Sequence, residues 1–317
     1  MANNPPLAAG IDLGSNTFRL LIARCNEGRL EPLVKKLASV RLGRGLARHK
    51  TIQKDSLAKA FEVLTSFSDA LACHPIDHLR ICGTEALRSA RNSAAFIQQA
   101  QTIIGHPVSI ISSEEEARLT LEGAIATLNR PWPDSLLLVD VGGASTELIF
   151  SAAPFKTAAI RSLPVGAVSL TEQFLQDQRI QDKQTEKLSI YLAEALQPAL
   201  DSFELSSTKA EPSVMGCGGT ATSMAALDLD LTRYDAALVQ GHTLLSSNID
   251  QLWEQLSNLT ASERNLIPGL EGGRGEILPA GMRIYQVLLG LLQHKQIKIS
   301  DSGLLEGITL SSLTDNS

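Results

Sequence analysis

The sequence predicts a mixed α/β protein built from two related halves, and three observations carry that expectation. The chain has 317 residues, and at roughly 100–200 residues per domain this favours two domains over one or three. Short apolar runs punctuated by Gly and Asn alternate with stretches of helical spacing. Finally, a strand–turn–strand signature near the N-terminus returns 128 residues later, about one domain length on.

Taken in order, residues 8–11 are apolar, residues 12–16 (Asp-Leu-Gly-Ser-Asn) form a turn, and residues 17–23 form an apolar exit strand. A third strand over 31–40 precedes a loop rich in Gly and Arg. Residues 55–73 place Leu57, Phe61, Leu64, Phe67 and Leu71 at helical spacing. A strand over 79–82, a helix over 85–101, a strand over 108–111 and a helix over 114–128 follow. Residues 129–134, with Pro131 and Pro133, interrupt the pattern and mark the domain boundary, giving lobes 1–129 and 130–317. Beyond it come a strand over 135–139, a turn over 140–144 and a strand over 145–150. Helices around 168–178 and 183–203, a Gly-rich turn at 216–219 and mainly helical patterns complete the chain. Aligned without gaps, residues 11–22 and 139–150 share the Asp, the Gly two positions on, a hydroxyl five positions on and an apolar exit.

Composition narrows the function. With 44% hydrophobic and 20% charged residues the chain is of globular type, so disorder is excluded as the default. A net charge of −6 provides no global basic field for nucleic acid or an anionic membrane, and a polyanionic ligand must be met by a local cluster. Residues 35–50 hold six Lys/Arg and no acid: a polyanion track or a solvated loop. Four scattered cysteines without a C-x-x-C pair fit a reducing compartment. The start lacks a secretory pattern, and no apolar run reaches about 18 residues. A soluble cytoplasmic protein is therefore expected, with neither membrane nor nucleic-acid partner. His74 and His78 lie four apart with Pro75 between them, which argues against zinc.

The turns starting at Asp12 and Asp140 each combine glycine, hydroxyls and a carboxylate. Successive N–H groups of such a turn can form a nest for phosphate oxygens, because glycine leaves no β-carbon in the way. An ordinary Asp-Gly hairpin is the plainer reading of either turn alone. A carboxylate beside each nest would repel phosphate unless a divalent ion lies between them, with Glu147 near enough in sequence to join; alternatively both Asp side chains cap their own turns. A third turn, residues 215–220, opens a small-residue helix whose N-terminus could receive another anion through Gly218, Gly219 and Thr220, or whose glycines serve close packing. Residues 110–117 read as a helix start in which Ser112/Glu115 or Ser113/Glu116 forms a capping box. A carboxylate there could also accept a proton from an attacking water. Thr84 is a plausible cap for the helix carrying Arg88 and Arg91, whose arginines either clamp phosphate or are solvated.

In order, residues 10–17, 83–92, 111–119, 139–147, 216–220 and 301–307 resemble the motifs of the Ppx/GppA family of exopolyphosphatases and guanosine pentaphosphate phosphohydrolases. The resemblance implies an actin-like, ribonuclease H-like α/β fold of the sugar kinase/Hsp70 type, with two lobes around a cleft. It implies that Glu116 is the carboxylate that activates water and that Arg88 attends phosphate. Asp140 and Glu147 correspond to positions linked to Mg²⁺ (or Mn²⁺), and Asp12, the other candidate metal ligand, belongs to the first phosphate loop. Gly14, Ser15, Asn16 and Thr17 match the first phosphate loop, and Gly142, Gly143, Ser145 and Thr146 the second. Two positions depart from the pattern: Ala144 replaces a glycine and Leu305 replaces an arginine. The sequence also stops where longer relatives carry an extra helical region, so short phosphate chains become plausible substrates. The resemblance thus implies release of terminal phosphate from inorganic polyphosphate. Alternatives are 5′-hydrolysis of guanosine pentaphosphate, a non-catalytic sensor binding guanosine penta- or tetraphosphate, and an actin-fold phosphotransferase. A homodimer is a further expectation of the family.

Overall fold

All seven residues of β1 (Leu7–Leu13) are buried. A strand covered on both faces reads as a continuous apolar run rather than an alternation, and it takes the centre of its sheet. The computed structural model describes residues 5–26, 28–127, 133–153, 158–175, 179–203, 211–270 and 273–314. They divide into two units, Met1–Leu128 with Ser302–Ser317, and Asn129–Asp301.

In the first unit β1 is followed by β2 (Thr17–Asn26), β3 (Arg29–Ser39), α1 (Leu46–His49), α2 (Lys54–Ala72), β4 (His78–Gly83), α3 (Glu85–Ser89), α4 (Ser93–Ile104), β5 (Ser109–Ile110) and α5 (Ser113–Ile125). The sheet order is β3-β2-β1-β4-β5. The first three strands are antiparallel, and β1, β4 and β5 run parallel. This is a mixed α/β sheet, as the sequence predicts. Leu64, Phe67 and Phe96 on α2 and α4 pack over Ile11, Phe18 and Leu20.

The helix expected over 85–101 is two helices. Asn92 stops the first: its Oδ1 accepts from Ile52 N at 2.9 Å and its Nδ2 donates to Ile52 O at 3.1 Å, while Arg91 N donates to Lys50 O at 2.9 Å. An amide side chain that pairs with a neighbouring backbone competes with continuation of a helix.

The second unit contains β6 (Ser135–Val141), β7 (Thr146–Ala152), β8 (Ala159–Leu163), α6 (Ala167–Phe174), α7 (Asp182–Asp201), β9 (Ser213–Cys217), α8 (Gly218–Asp228), α9 (Ala236–Val239), β10 (Thr243–Leu245), α10 (Ser246–Ser257), α11 (Ala261–Arg264), α12 (Arg274–Leu292) and β11 (Gln296–Ile299). Its sheet order is β10-β11-β9-β6-β7-β8. Removing the edge strand β10 leaves the pattern of the first sheet. Two short strands thus lie in the C-terminal stretch expected to be mainly helical. Residues 176–178, the end of one expected helix, lie outside the described residues, as do Pro131 and Trp132 of the expected boundary.

The duplication extends to register. Asp12 faces Arg19 and Leu13 faces Phe18 across one hairpin; Asp140 faces Glu147 and Val141 faces Thr146 across the other. Gly14 N donates to Thr17 O at 3.2 Å, and Gly142 N to Ser145 O at 3.0 Å. Both hairpins therefore close through the same four-residue loop.

The last helix, α13 (Leu304–Ser311), corrects the expected second lobe of 130–317, because it packs on β1 and α5 of the first unit. Glycines permit the approach. A β-carbon at Gly123 would stand 2.0 Å from Gly303 O, and one at Gly307 would stand 1.9 Å from Leu119 O. Leu304 and Ile308 then bury against Cys82, Ile111 and Leu119. Leu305 joins Leu21 and Ala23, so the residue that replaces the family's arginine lies in an apolar cluster. Among the described residues no helix is long and apolar enough to cross a membrane.

Gly307→Ala is expected to cost roughly 1–3 kcal/mol by forcing backbone apart, lowering the urea midpoint. Gly290→Ala in α12, where no described residue lies within 4 Å of the added carbon, should be neutral or stabilise by up to about 1 kcal/mol. Equal midpoints for the two variants would contradict the packing described.

Candidate active site

The residues singled out in the first unit gather at the carboxyl ends of β1, β4 and β5, the edge where open α/β sheets bind ligands. The loop after β1 is held from outside. Ser15 O accepts from Gly43 N at 2.7 Å, and Asn16 O accepts from Val40 N at 2.9 Å and Arg41 N at 2.8 Å. The N–H groups of Ser15 and Asn16 donate to no protein acceptor among the described residues. The loop thus retains the donors a phosphate nest requires. Asn16 Nδ2 also donates to Thr17 Oγ1 at 3.3 Å.

Asp12 is buried beneath this loop. Its Oδ2 lies 2.7 Å from Arg19 Nε and 2.6 Å from Nη2, while Oδ1 has no hydrogen-bond partner among the described residues. Burial pushes the carboxyl above its ordinary pKa, outweighing the pull of Arg19. The countercharge anticipated as a divalent ion is therefore supplied here, at least in part, by Arg19. Sequence reasoning missed this arginine, although it occupies the position that Glu147 occupies in the second hairpin.

Glu116 lies in the first turn of α5. Ser112 is the cap, accepting from Glu115 N at 3.1 Å, so of the two possible caps the Ser112/Glu115 pairing is the one formed. The three glutamates then separate. Glu114 is exposed, with its pKa lowered by hydrogen bonds from the helix-start backbone and Ser112. Glu115 accepts from Arg80 at 2.5 Å, and Arg80 also donates to Ser311 Oγ at 2.8 Å. Glu116, only 8% exposed, accepts from Arg88 Nη1 at 2.8 Å.

Arg88 Nη1 donates further to Ile111 O at 2.8 Å, and Nε donates to Glu85 Oε2 at 3.1 Å. Nη2 is 2.9 Å from the same Glu85 oxygen but is not aligned to donate to it. Burial works against the guanidinium charge, but Glu116 and Glu85 outweigh it and its pKa is raised. Glu85 is thus a member of the cluster that the sequence did not suggest. Thr84 occupies the cap position of α3 but makes no side-chain capping bond.

In the second unit the 142–145 loop is clipped to α6. Gly142 O accepts from Ala167 N at 2.9 Å, and Gly143 O accepts from Val168 N at 2.8 Å and Ser169 N at 3.1 Å. The N–H groups of Gly143, Ala144 and Ser145 donate to no protein acceptor among the described residues. Thr146 does not belong with these donors: it is fully buried in β7 and its hydroxyl donates to Val165 O at 2.6 Å. Thr220 is likewise a packing residue, since a β-carbon at Gly281 of α12 would meet its Oγ1 at 2.5 Å.

Gly218 has φ +76°, and a β-carbon there would stand 2.3 Å from Asp140 Oδ1. Gly219 lies under Arg274, whose Nη1 would be 1.7 Å from an added β-carbon. These glycines make room for a carboxylate and a guanidinium beside the start of α8. Arg274, remote in sequence, was not anticipated. Below them the buried Tyr285 hydroxyl donates to Val139 O at 3.1 Å, and burial raises its pKa well above the usual phenol value.

The residues of the second hairpin fit a divalent cation. Asp140 and Glu147 face each other across the ladder, so both carboxylates share one face of the sheet. Glu147 Oε1 also accepts from Ser162 Oγ at 2.7 Å, which orients it. Among the described residues no cluster of three or more His, Cys, Asp or Glu is suited to a metal. Mg²⁺ characteristically uses one or two carboxylates together with substrate phosphates and water.

Residues 21–316 match the Ppx/GppA phosphatase family model. The chain is 31% identical over 316 residues to a guanosine-5′-triphosphate,3′-diphosphate pyrophosphatase of Vibrio vulnificus, covering 99% of this chain and 61% of that protein. The same-named protein of Aliivibrio fischeri is 30% identical over 306 residues, covering 96% and 59%. The chain therefore spans about three-fifths of these relatives. Among solved structures, an exopolyphosphatase-like protein superposes with TM-score 0.88 at 29% identity, covering 96% of this chain and 98% of that one. An exopolyphosphatase from Cytophaga hutchinsonii gives 0.85 at 26% identity, covering 94% and 95%. The Aquifex aeolicus Ppx/GppA protein gives 0.81 at 26%, covering 98% and 99%.

Because the Asp12 pKa is raised on folding, its contribution favours the folded state below the ordinary carboxylate pKa and is lost as pH rises through the raised value. Relative to wild type, Asp12→Asn should gain stability as pH is raised from the acid range to neutrality in paired thermal melts. A difference independent of pH would refute the shift. Gly218→Ala should cost roughly 1–2 kcal/mol from its left-handed backbone alone, seen as a lower denaturation midpoint.

Proposed function

Since the chain belongs to the Ppx/GppA phosphatase family, we propose that it hydrolyses the terminal phosphoanhydride bond of a phosphate chain. The observation that carries this reading is the buried Glu116–Arg88 pair, 2.8 Å apart, at the start of α5. The Ser15 and Asn16 amides hold phosphate oxygens, and Glu116 orients the attacking water. As the water oxygen bonds to the terminal phosphorus, the bridging P–O bond breaks and the shortened chain leaves with its electron pair. The water proton passes to Glu116 and then to solvent. Arg88 holds Glu116 in place through Nη1, and its guanidinium offsets charge spreading over the phosphoryl oxygens. Phosphoryl transfer through a loose transition state asks for positioning and charge compensation more than covalent chemistry.

A divalent ion, Mg²⁺ or Mn²⁺, would be held by Asp140 and Glu147 and would neutralise phosphate oxygens when bound. Inorganic polyphosphate is the leading substrate, supported by the exopolyphosphatase descriptions of solved relatives of matching length. Guanosine pentaphosphate is the second reading, favoured by the names of the longer relatives. Four free cysteines support a cytoplasmic location.

Phosphate release from polyphosphate, guanosine pentaphosphate and ATP, with Mg²⁺ and with chelator, tests the reading. Preferential release from polyphosphate supports it. Turnover of ATP only with an added acceptor would make the protein a phosphotransferase, and tight binding of guanosine tetraphosphate without any release would make it a sensor. Glu116→Gln should lower kcat by roughly 10²–10⁴ while its circular dichroism spectrum stays that of the folded protein; wild-type release by this variant would remove Glu116 from the mechanism.

A further inference from the structure

We infer that Arg44, Arg48, Lys50 and Arg91 form an open basic track on the first unit that binds the distal part of a linear polyphosphate chain. The inference deepens the proposed function and takes its ligand class from it. Between Glu31 and Asp55 the sequence has no acidic residue, in a chain of net charge −6. The four cations are exposed and form no ion pair among the described residues. This is unlike Arg19, Arg80 and Arg88, each of which is paired to a carboxylate.

The fold attaches this segment to the candidate site at both ends. At one end Gly43 N, Val40 N and Arg41 N are bound to the carbonyls of the 14–17 loop. At the other, Arg91 N donates to Lys50 O at 2.9 Å, and Asn92 holds Ile52 by two hydrogen bonds. Arg91 thereby comes beside Lys50, three residues after Arg88. The break between α3 and α4 is what brings this fourth cation to the segment.

Lys50 has φ +57°, one of only four non-glycine residues with positive φ among those described. A left-handed conformation costs a side-chain-bearing residue roughly 1–2 kcal/mol that glycine avoids, yet a lysine occupies the position. The conformation is that of the left-handed cap that closes α1, with Lys50 N donating to Leu46 O at 2.9 Å.

The spacing suits a polymer. Arg44 and Lys50 flank α1, which alone rises about 6 Å, so the cations extend beyond a single phosphate group. An open track also needs no enclosed channel. A local cationic surface on an acidic protein concentrates and steers a polyanion, with strong salt dependence.

The test uses the Glu116→Gln protein, so that ligand is not consumed, with and without Arg44→Gln, Arg48→Gln, Lys50→Gln and Arg91→Gln. Binding is measured against long-chain polyphosphate, tripolyphosphate and a single-stranded RNA across a salt series. Long-chain affinity should fall roughly ten- to a hundredfold, with a shallower dependence of log Kd on log salt, while tripolyphosphate changes less than about twofold. Lys50→Gly alone should weaken long-chain binding without lowering the melting temperature, which separates loss of charge from loss of fold. Unchanged long-chain affinity, or an equal loss for tripolyphosphate, would overturn the track. Tighter, track-dependent binding of RNA would reassign it to nucleic acid. In the Glu116-intact background, phosphate release with an unaltered KM for long chains would remove the track and keep the hydrolase. Track-dependent binding without any release would do the reverse.

Discussion

The register of the two central hairpins is the constraint on which the candidate chemistry depends. Cross-strand partners in an antiparallel pair share a face, so a fixed register decides which side chain meets each aspartate. In the first unit the partner of Asp12 is Arg19, and the result is a buried ion pair. In the second, the partner of Asp140 is Glu147, and the result is a pair of acids. The same backbone thus sets an arginine opposite one aspartate and a glutamate opposite the other.

Around Asp12 and Glu116 the protein removes charge from water and then compensates it with arginine. Desolvation of an ion is costly, and a buried pair is weak grounds for stability on its own. Here each guanidinium also orients the carboxylate. Arg88 spans Glu116, Ile111 and Glu85, joining α3 to the start of α5, while Arg80 joins β4, α5 and α13 through Glu115 and Ser311. With Glu115 held by a different arginine, the acidic run at the start of α5 is divided among distinct partners.

Local patterns made much of this legible. The glycine turns after β1 and β6, the Ser112 cap and the alternation of strands and helices are short-range features, encoded by turn chemistry and periodicity. The partners missed were those set by tertiary contact. Arg274 reaches Gly219 from 55 residues away in sequence, and Arg91 joins Lys50 only because Asn92 terminates a helix. Thr146 and Thr220 carry the hydroxyl that phosphate loops use, yet packing turns one to a carbonyl and the other to a glycine. A residue type in a motif states what a group can do; burial decides whether it is available. The destination of α13 was also hidden, because its apolar residues match either unit and only the glycines at 123 and 307 select α5.

That final helix makes the first unit discontinuous in sequence, with the whole second unit inserted between its pieces. A ribosome therefore delivers β1 through α5 long before the helix that covers Cys82, Ile111 and Leu119. The nascent N-terminal sheet must wait with that surface uncovered while the inserted unit, continuous in the chain, is made and can fold first.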